Sequence, residues 1–292
     1  MNSPLSLPRS SVTRRRWSGT RLSRVLLSYV AIVLAIVVVG LPMVWMLSAS
    51  LKTLGEIYTF PPVWVPGHLH WQNYPEAWTA APFARFYLNT TIVTFFGTLA
   101  KLVNGILSAY ALTYLRFPGR DVVFLVILAA LMIPPQVTIL PNYLTLGSLH
   151  WLNTYAALIV PEAGIAFGTF LLRQHFLTIP REVLEAARVD GSGHLRTLWQ
   201  IVLPLSQPIV MTLLLLTAVG RWNDYLWPLL VTSTQDMRTL PVGIAFFLNE
   251  EGNTQWGDVM AATVMVIVPL LILFVWTQRY LVEGISAGAL TG

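Results

Sequence analysis

The sequence of 292 residues contains no cysteine, and only 11% of its residues are charged. The lack of cysteine excludes disulfide bonds and thiolate metal sites. Soluble domains contain about 25% charged residues, so this scarcity of charge excludes an ordinary soluble domain. Because 55% of the residues are hydrophobic, the composition predicts an integral membrane protein.

Sequence motifs of catalysis are also missing. The five histidines show no metal-ligand spacing such as HExxH. No GxxxxGK[ST] phosphate loop occurs, and the stretch from Gly97 to Lys101 has the wrong spacing for one. We therefore expect a non-catalytic chain that holds no metal or cofactor and cannot hydrolyse ATP by the phosphate-loop route.

Long apolar segments dominate the chain, and each is long enough to cross about 30 Å of hydrocarbon. The sequence predicts six transmembrane helices, at about 25–47, 86–115, 122–140, 155–172, 206–231 and 256–277. Together they form an all-α membrane domain, 25–277, between a disordered basic tail, 1–24, and a short C-terminal tail, 278–292.

The positions of the basic residues predict the orientation of the chain. Thirteen Lys and Arg residues fall on the side of the two termini, whereas three, Lys52, Arg85 and Arg238, fall on the other. Because basic residues are retained on the cytoplasmic side, we expect both termini in the cytoplasm. The net charge of +5 therefore indicates orientation in a membrane and not binding to nucleic acid.

A polar stretch, 180–204, separates the fourth and fifth predicted spans and lies on the same side as the termini. It predicts two short helices, the first of which ends at Gly191 in a left-handed conformation. Four apolar residues of the second helix recur at i, i+3, i+4 and i+7, which predicts one apolar stripe. They are Leu195, Leu198, Trp199 and Val202.

The same stretch contains the pattern E-A-A, three residues, G, nine residues, I, one residue, L-P. Its letters fall at Glu185, Ala186, Ala187, Gly191, Ile201, Leu203 and Pro204. This pattern resembles the EAA loop of ABC importer permeases, which is the coupling helix that docks on the ATPase subunit. The resemblance implies that these residues, with Asp190, form an ATPase-coupling surface. Arg181 and Arg188 are spaced to hold the Glu185 side chain towards the partner.

The resemblance covers most of the chain. YALTYLRFPGRD at 110–121, MIPPQ at 132–136, WNDYLWPL at 222–229 and the closing QRYLVEGISAGAL are similar to the carbohydrate-uptake subfamily. Within it, the chain resembles the maltose-type second permease. The family tail commonly ends in a basic residue before Gly, whereas Thr291 stands here, so a contact made by that basic residue is in doubt.

The resemblance also implies a function and a set of partners. It implies a permease subunit in the plasma membrane of a bacterium or archaeon, which moves a carbohydrate or related solute into the cytoplasm by alternating access. The expected partners are a second, nonidentical permease subunit, two ATP-binding subunits, an external solute-binding protein and membrane lipid.

Charged residues within predicted spans are candidates for the translocation pathway, because such residues are costly in a bilayer. Lys101 lies roughly 21 Å into its span and Asp224 roughly 10 Å from the outer end of its own, at about 1.5 Å per residue. This mismatch in depth predicts that Lys101 faces an inner vestibule without Asp224, or that it snorkels along a helix groove. Arg221 and Asp224 are spaced for a structural ion pair, and Asn223 with Asp224 is the candidate lining of an outer gate.

Other polar and aromatic residues near span ends have simpler interpretations. Glu162 is expected to be an interfacial carboxylate. Trp222, Tyr225 and Trp227 are expected to form an aromatic belt in preference to a platform for a sugar ring, although aromatic faces suit sugar rings. A standalone secondary transporter or channel, with Lys101, Arg221 and Asp224 as an ion relay, is the alternative function. The loop at 181–204 favours the importer subunit, because a standalone carrier does not need a paired-helix docking element.

Overall fold

The computed structural model describes residues 19–247 and 255–289, and within these ranges every regular element is a helix. The part of the predicted basic tail before residue 19 and the departure at Thr291 lie outside the described residues. The helices are α1 (Gly19–Ala49), α2 (Leu54–Ile57), α3 (Asn73–Ala80), α4 (Phe83–Tyr114), α5 (Arg120–Ala130), α6 (Pro135–Ser148), α7 (Tyr155–Ile159), α8 (Ala166–Phe176), α9 (Arg181–Val189), α10 (His194–Thr197), α11 (Leu203–Leu205), α12 (Gln207–Trp222), α13 (Leu226–Val231), α14 (Leu240–Phe247) and α15 (Trp256–Ala289). A π-helical turn, Leu198–Val202, joins α10 to α11, and a 3₁₀ turn, Gln235–Met237, precedes α14.

Three helices of the described chain are long and apolar enough to cross a membrane: Val25–Ala49, Phe83–Tyr114 and Trp256–Arg279. Two bent helix pairs raise the number to five if each pair is one span. The protein is therefore an all-helical membrane protein with three to five candidate spans. Helix α1 begins at Gly19, before the predicted span, and α15 continues to Ala289 through most of the predicted C-terminal tail.

Broken helices explain why the predicted third, fourth and fifth spans are not single straight rods. The third is divided between α5 and α6, which meet at 98°. Pro134, in an extended conformation before α6, has no N–H to continue a helix. The fourth is divided between α7 and α8, and the fifth between α12 and α13. These breaks leave non-helical backbone inside the bundle, which is tolerated at membrane depth only where protein or a water-filled cavity surrounds it.

Helix α4 is the centre of the bundle, since it packs against α8, α12, α14, α3 and α7. Its C-terminal half shares one apolar core with α8, the 180–204 loop and α12, through buried residues such as Ile106, Leu172, Val202 and Leu213. Its N-terminal half packs with α14 and α15 in a second core around Phe86 and Ala262. One helix thus connects both ends of the molecule.

Each end of α4 is joined to a different set of loops. At the N-terminal end, the Asn89 amide donates to the carbonyls of Asp236 and Arg238, at 2.7 and 2.8 Å. At the C-terminal end, the Tyr114 hydroxyl donates to the Phe176 carbonyl at 2.6 Å, and the Tyr110 hydroxyl lies 3.3 Å from His194 Nδ1. The loops predicted to be external therefore gather at one end, and the 180–204 loop lies at the other.

Lys52, one of the three basic residues predicted to be external, is fully buried beside the end of α1. Its ammonium group donates to the Val63 carbonyl and lies 4.3 Å from the centre of the Trp45 ring. Burial lowers the pKa of Lys52, and the neighbouring Glu56 carboxylate partly offsets that shift. The pKa of Glu56 is itself lowered by the backbone N–H groups of Thr53 and Gly67, which donate to it.

The prediction of an aromatic belt is wrong for Trp222 and Trp227. Both are buried, and their indole N–H groups donate to the carbonyls of Val266 and Ala157, at 3.1 and 3.0 Å. Buried tryptophans commonly find such a partner. Tyr225 remains exposed at 41%. The two tryptophans therefore hold α12 and α13 against their neighbours.

Asn89→Leu is expected to lower the free energy of unfolding by about 1–3 kcal/mol, because it leaves buried carbonyl groups without their donor. Asn89 is fully buried and also accepts a hydrogen bond of 2.6 Å from the Tyr155 hydroxyl. Tyr155→Phe is the matched control: it removes one of the three hydrogen bonds and should cost about 1 kcal/mol. Unfolding in detergent measures both, and equal losses for the two variants would contradict the assignment.

Candidate functional site

Four charged residues from three parts of the fold meet beside the central helix. Lys101 lies on α4, Glu162 in the linker between α7 and α8, Arg221 at the end of α12, and Asp224 just after α12. We call these four residues the charge cluster. Lys101, Glu162 and Asp224 line a cavity of about 850 Å³, the central cavity, between α4, α6 and the linker.

Arg221 is the most buried member of the charge cluster, with 3% of its side chain exposed. Its Nη1 lies 2.5 Å from Glu162 Oε2 and 3.7 Å from Asp224 Oδ2, and its Nη2 donates to the Leu158 carbonyl at 2.9 Å. The ion pair predicted between Arg221 and Asp224 is confirmed. The planar guanidinium thus ties α12 to the C-terminal end of α7 and to the linker that follows it, with a fork of donors that a lysine does not have.

Gly97 on α4 makes room for this guanidinium. A Cβ atom at Gly97 would lie 2.7 Å from Arg221 Nε and 3.0 Å from its Nη2. Arg221 Nε is buried and has no hydrogen-bond partner among the described residues, so its contact with α4 is one of packing. A residue larger than glycine at position 97 would displace the centre of the charge cluster.

The predicted depth of Lys101 led us to expect a cation without a partner, but Lys101 is paired. Its Nζ lies 3.5 Å from Glu162 Oε2, the oxygen that also binds Arg221. Glu162 is therefore the shared partner of two cations, and its interpretation as an interfacial carboxylate was wrong. The predicted mismatch in depth assumed an unbroken fifth span, but α12 ends at Trp222. The chain then turns and brings Asp224 to the same cavity as Lys101.

A polar face of α4 lines the central cavity. Lys101, Asn104 and Ser108 line it together, since their spacing of i, i+3 and i+7 places them on one side of a helix. Gln136 and Asn142 of α6 line it from another side. None of these four uncharged residues was predicted from the sequence, although a regular polar spacing inside an apolar span was a signal that could have found those on α4.

Asn223 and Asp224 have different positions despite being adjacent. The Asn223 amide donates to the Val219 carbonyl of its own helix at 2.9 Å, and the side chain is exposed. Asn223 is absent from the described lining of the central cavity, whereas Asp224 contributes to it. The structure therefore brings two of the three predicted pathway residues together, Lys101 and Asp224.

The 180–204 loop begins with helix α9, which ends in a left-handed turn at Gly191, where φ is +75°. This conformation was predicted and is confirmed. The Gly191 N–H donates to the Arg188 carbonyl at 3.0 Å, and the Ser192 N–H to the Ala187 carbonyl at 2.9 Å. These two bonds form a Schellman motif, which ends a helix and favours glycine at the left-handed position. The motif sets the direction in which the chain leaves α9.

One face of the 180–204 loop is anchored and the other is open. Leu184, Leu198 and Val202 are buried in the core shared with α4 and α8. Ala187 is buried as well, so this residue of the predicted coupling surface does not lie on the open face. Glu185, Ala186, Asp190, Gly191 and Pro204 are exposed, and Ile201 and Leu203 are half-buried. The open face also carries three large apolar side chains with high exposed fractions: Val189 (87%), Leu195 (68%) and Trp199 (62%).

Two local expectations about this loop were wrong. The four-residue apolar stripe is split, because the π-helical turn at Leu198–Val202 changes the helical period. Leu198 and Val202 therefore face the core, while Leu195 and Trp199 face outward. Glu185 does not pair with the arginines of its own helix: among the described ion pairs, none joins it to Arg181 or Arg188. Its carboxylate points to no cation within the described chain.

Comparison with known proteins supports one family. Residues 101–287 match the family described as "Binding-protein-dependent transport system inner membrane component". The "sn-glycerol-3-phosphate transport system permease protein UgpE" of Yersinia pestis is 37% identical over 88% of this chain and 94% of that protein. The protein of the same description from Escherichia coli is 36% identical over the same shares.

The fold has a close counterpart among solved structures. A chain from the crystal structure of a bacterial ABC transporter involved in the import of the acidic polysaccharide alginate superposes with a TM-score of 0.83. It is 24% identical, and the match covers 91% of this chain and 99% of that chain. A chain of the alginate transporter in complex with a pentasaccharide-bound periplasmic protein gives a TM-score of 0.65 at 16% identity. These two likenesses concern the fold.

The family match spans most of the chain, including α4 from Lys101, the 180–204 loop and the charge cluster, and the full-length relatives agree with it. The chain therefore belongs to the family of binding-protein-dependent transport system inner membrane components, and it is a non-catalytic permease subunit of an ABC importer in the inner membrane.

Proposed function

We propose that this chain is one of two nonidentical permease subunits of an importer for a carbohydrate or related solute, with six spans and both termini in the cytoplasm. Two ATP-binding subunits drive it, and an external solute-binding protein delivers the solute. Support comes from the relatives, which are named as permeases of an sn-glycerol-3-phosphate transport system. A structural neighbour comes from a transporter in complex with a periplasmic protein.

The observation that carries the proposal is the open face of the 180–204 loop. It combines exposed apolar side chains at Val189, Leu195 and Trp199 with the carboxylate of Glu185, which has no ion-pair partner in the described chain. An apolar patch beside charged groups is typical of a protein interface. We assign this face, with Ala186, Asp190, Gly191, Ile201, Leu203 and Pro204, to docking on an ATP-binding subunit, and we leave out Ala187 because it is buried.

The packing of the loop explains how a partner's movement reaches the pathway. The buried face of the loop shares one core with α4, α8 and α12. The charge cluster links α4, α12 and the segment before α8 beside the central cavity. A push on the loop therefore moves these helices together, as rigid-body alternation of access requires. The pathway in this proposal includes Lys101 and Asp224, and Asn223 adjoins it.

The test is reconstitution of the chain with its partner subunits. We expect the ATP-binding subunit to copurify with the chain, and uptake into liposomes to depend on ATP and on the solute-binding protein. The alternative, a standalone carrier with Lys101, Arg221 and Asp224 as an ion relay, predicts uptake by the chain alone that follows an ion gradient. ATP-independent uptake without copurification would contradict our proposal.

Asp224→Asn is expected to slow solute uptake several-fold and to leave ATPase docking unchanged. The slower uptake reflects the loss of about 1–2 kcal/mol of interaction between the Asp224 carboxylate and charged groups. Asp224 lines the central cavity and contacts Arg221 at 3.7 Å, and helix α12 separates it from the 180–204 loop. Asp121→Asn, which alters an exposed carboxylate paired with Arg120, is the control. Loss of copurification of the ATPase with Asp224→Asn would count against the assignment.

A further inference from the structure

The central cavity contains both hydrogen-bonding groups and balanced charge, which together constrain what can pass. Lys101 is the only cation that lines it within the described residues, and two carboxylates, Glu162 and Asp224, line it as well. Arg221 lies behind them with 3% of its side chain exposed. The four charges of the cluster therefore sum to zero, and the cavity wall presents no excess of positive charge.

Glu162 and Lys101 have hydrogen-bonding capacity that the protein does not use. The two side chains are 34% and 19% exposed, and their separation of 3.5 Å is at the limit of a hydrogen bond. Both described cation contacts of Glu162 are made by Oε2, which leaves Oε1 available as an acceptor. Lys101 carries three donors and has one partner at that long distance. A donor and an acceptor thus lie side by side at the cavity wall.

Uncharged polar groups extend this surface. Ser108, Gln136 and Asn142 line the cavity, and none of these side chains has a hydrogen-bond partner within the described residues. A solute rich in hydroxyl groups can donate to Glu162 and accept from Lys101, because each hydroxyl is both donor and acceptor. A phosphate group accepts hydrogen bonds but would face two carboxylates that repel it.

We propose that Glu162 and Lys101 form a solute-binding subsite of the central cavity, and that this subsite takes an uncharged polyhydroxylated solute in preference to a phosphorylated one. This inference rests on the proposed function of the chain as an importer subunit. It adds Glu162 to the translocation pathway. It also predicts that the solute of this chain differs from sn-glycerol 3-phosphate, the solute in the names of the relatives.

The first experiment measures uptake by the complete transporter in liposomes, in the presence of its solute-binding protein. Labelled sn-glycerol 3-phosphate is compared with a panel of labelled unphosphorylated mono- and oligosaccharides. We expect ATP-dependent uptake of an unphosphorylated sugar and at least tenfold weaker uptake of the phosphate ester. Preferred uptake of the phosphate ester would overturn the inference alone, whereas no ATP-dependent uptake of any solute would overturn the proposed function as well.

The second experiment uses variants with the sugar that the wild type transports. Glu162→Gln should raise the KM for uptake about tenfold, the factor expected for losing a hydrogen bond to a charged group. Glu162→Asp should recover part of this loss. Asn142→Ala should also raise the KM for uptake. This variant breaks no described hydrogen bond, so it tests the cavity without disturbing Arg221.

Asp121→Asn is the surface control. An unchanged KM in both Glu162→Gln and Asn142→Ala would refute the subsite.

Discussion

Gly191→Leu is expected to abolish most ATP-driven uptake while the protein still inserts into the membrane. Gly191 is held at φ +75° by the Schellman motif at the end of α9. Apart from Gly191 itself and its two neighbours in the chain, no atom lies within 4 Å of a Cβ placed there, so the cost arises from the backbone and not from a clash. A left-handed conformation costs a side chain about 1–2 kcal/mol. The leucine variant relieves this strain by turning the second helix away from the docking face.

Gly191→Asn is the matched control for this effect, because asparagine tolerates the left-handed conformation. We expect it to retain uptake and ATPase docking, whereas Gly191→Leu loses both. Copurification of the ATP-binding subunit and uptake in liposomes are measured for each variant. If the asparagine and leucine variants lose coupling equally, or neither does, the backbone conformation of Gly191 is not what positions the loop.

Glu185→Ala belongs to the same test, since Glu185 lies on the exposed face of α9 and has no ion-pair partner in the described chain. If the ATP-binding subunit supplies the missing cation, truncation strands it at a cost of about 2–5 kcal/mol when the pair is buried. Glu182→Ala, an exposed carboxylate one turn earlier, is the control. Normal coupling in Glu185→Ala would assign docking to the apolar side chains alone.

Arg221→Met is expected to destabilise the folded protein by about 3–5 kcal/mol, because breaking a buried ion pair leaves its partners uncompensated. The variant strands Glu162 and Asp224 and removes a donor to the Leu158 carbonyl. Arg221→Lys should restore little, since an ammonium group does not reproduce the fork of donors that reaches three groups at once. The midpoint of thermal unfolding in detergent and the yield from membranes measure the effect.

A surface arginine provides the control for Arg221→Met. Arg120 pairs with Asp121 at 3.4 Å, and their side chains are 35% and 79% exposed. Arg120→Met should therefore change stability by at most about 1 kcal/mol. The double variant Arg221→Met with Glu162→Gln should recover part of the loss, because it removes one of the stranded carboxylates. An unfolding midpoint for Arg221→Met equal to that for Arg120→Met would disprove the central role of Arg221.

Predictions from local spacing were the most accurate. The left-handed Gly191 and the pair between Arg221 and Asp224 each depend on residues within a few positions of one another. The membrane class likewise follows from long apolar segments, and the family was evident from the pattern between Glu185 and Pro204. Where a prediction assumed an ideal helix, as for the stripe through Leu195 and Trp199, a single π-helical turn made it wrong.

By itself, the sequence determined that the chain is a helical membrane protein with a polar loop at 180–204, because hydrophobic length and local turn chemistry are properties of short segments. Only the tertiary structure decided that Glu162 meets Lys101 and Arg221, which are 61 and 59 residues away along the chain. It also decided that Trp222 and Trp227 are buried. The physical reason is that broken helices bring distant segments to the same depth, and the positions at which they meet depend on packing that no local pattern encodes.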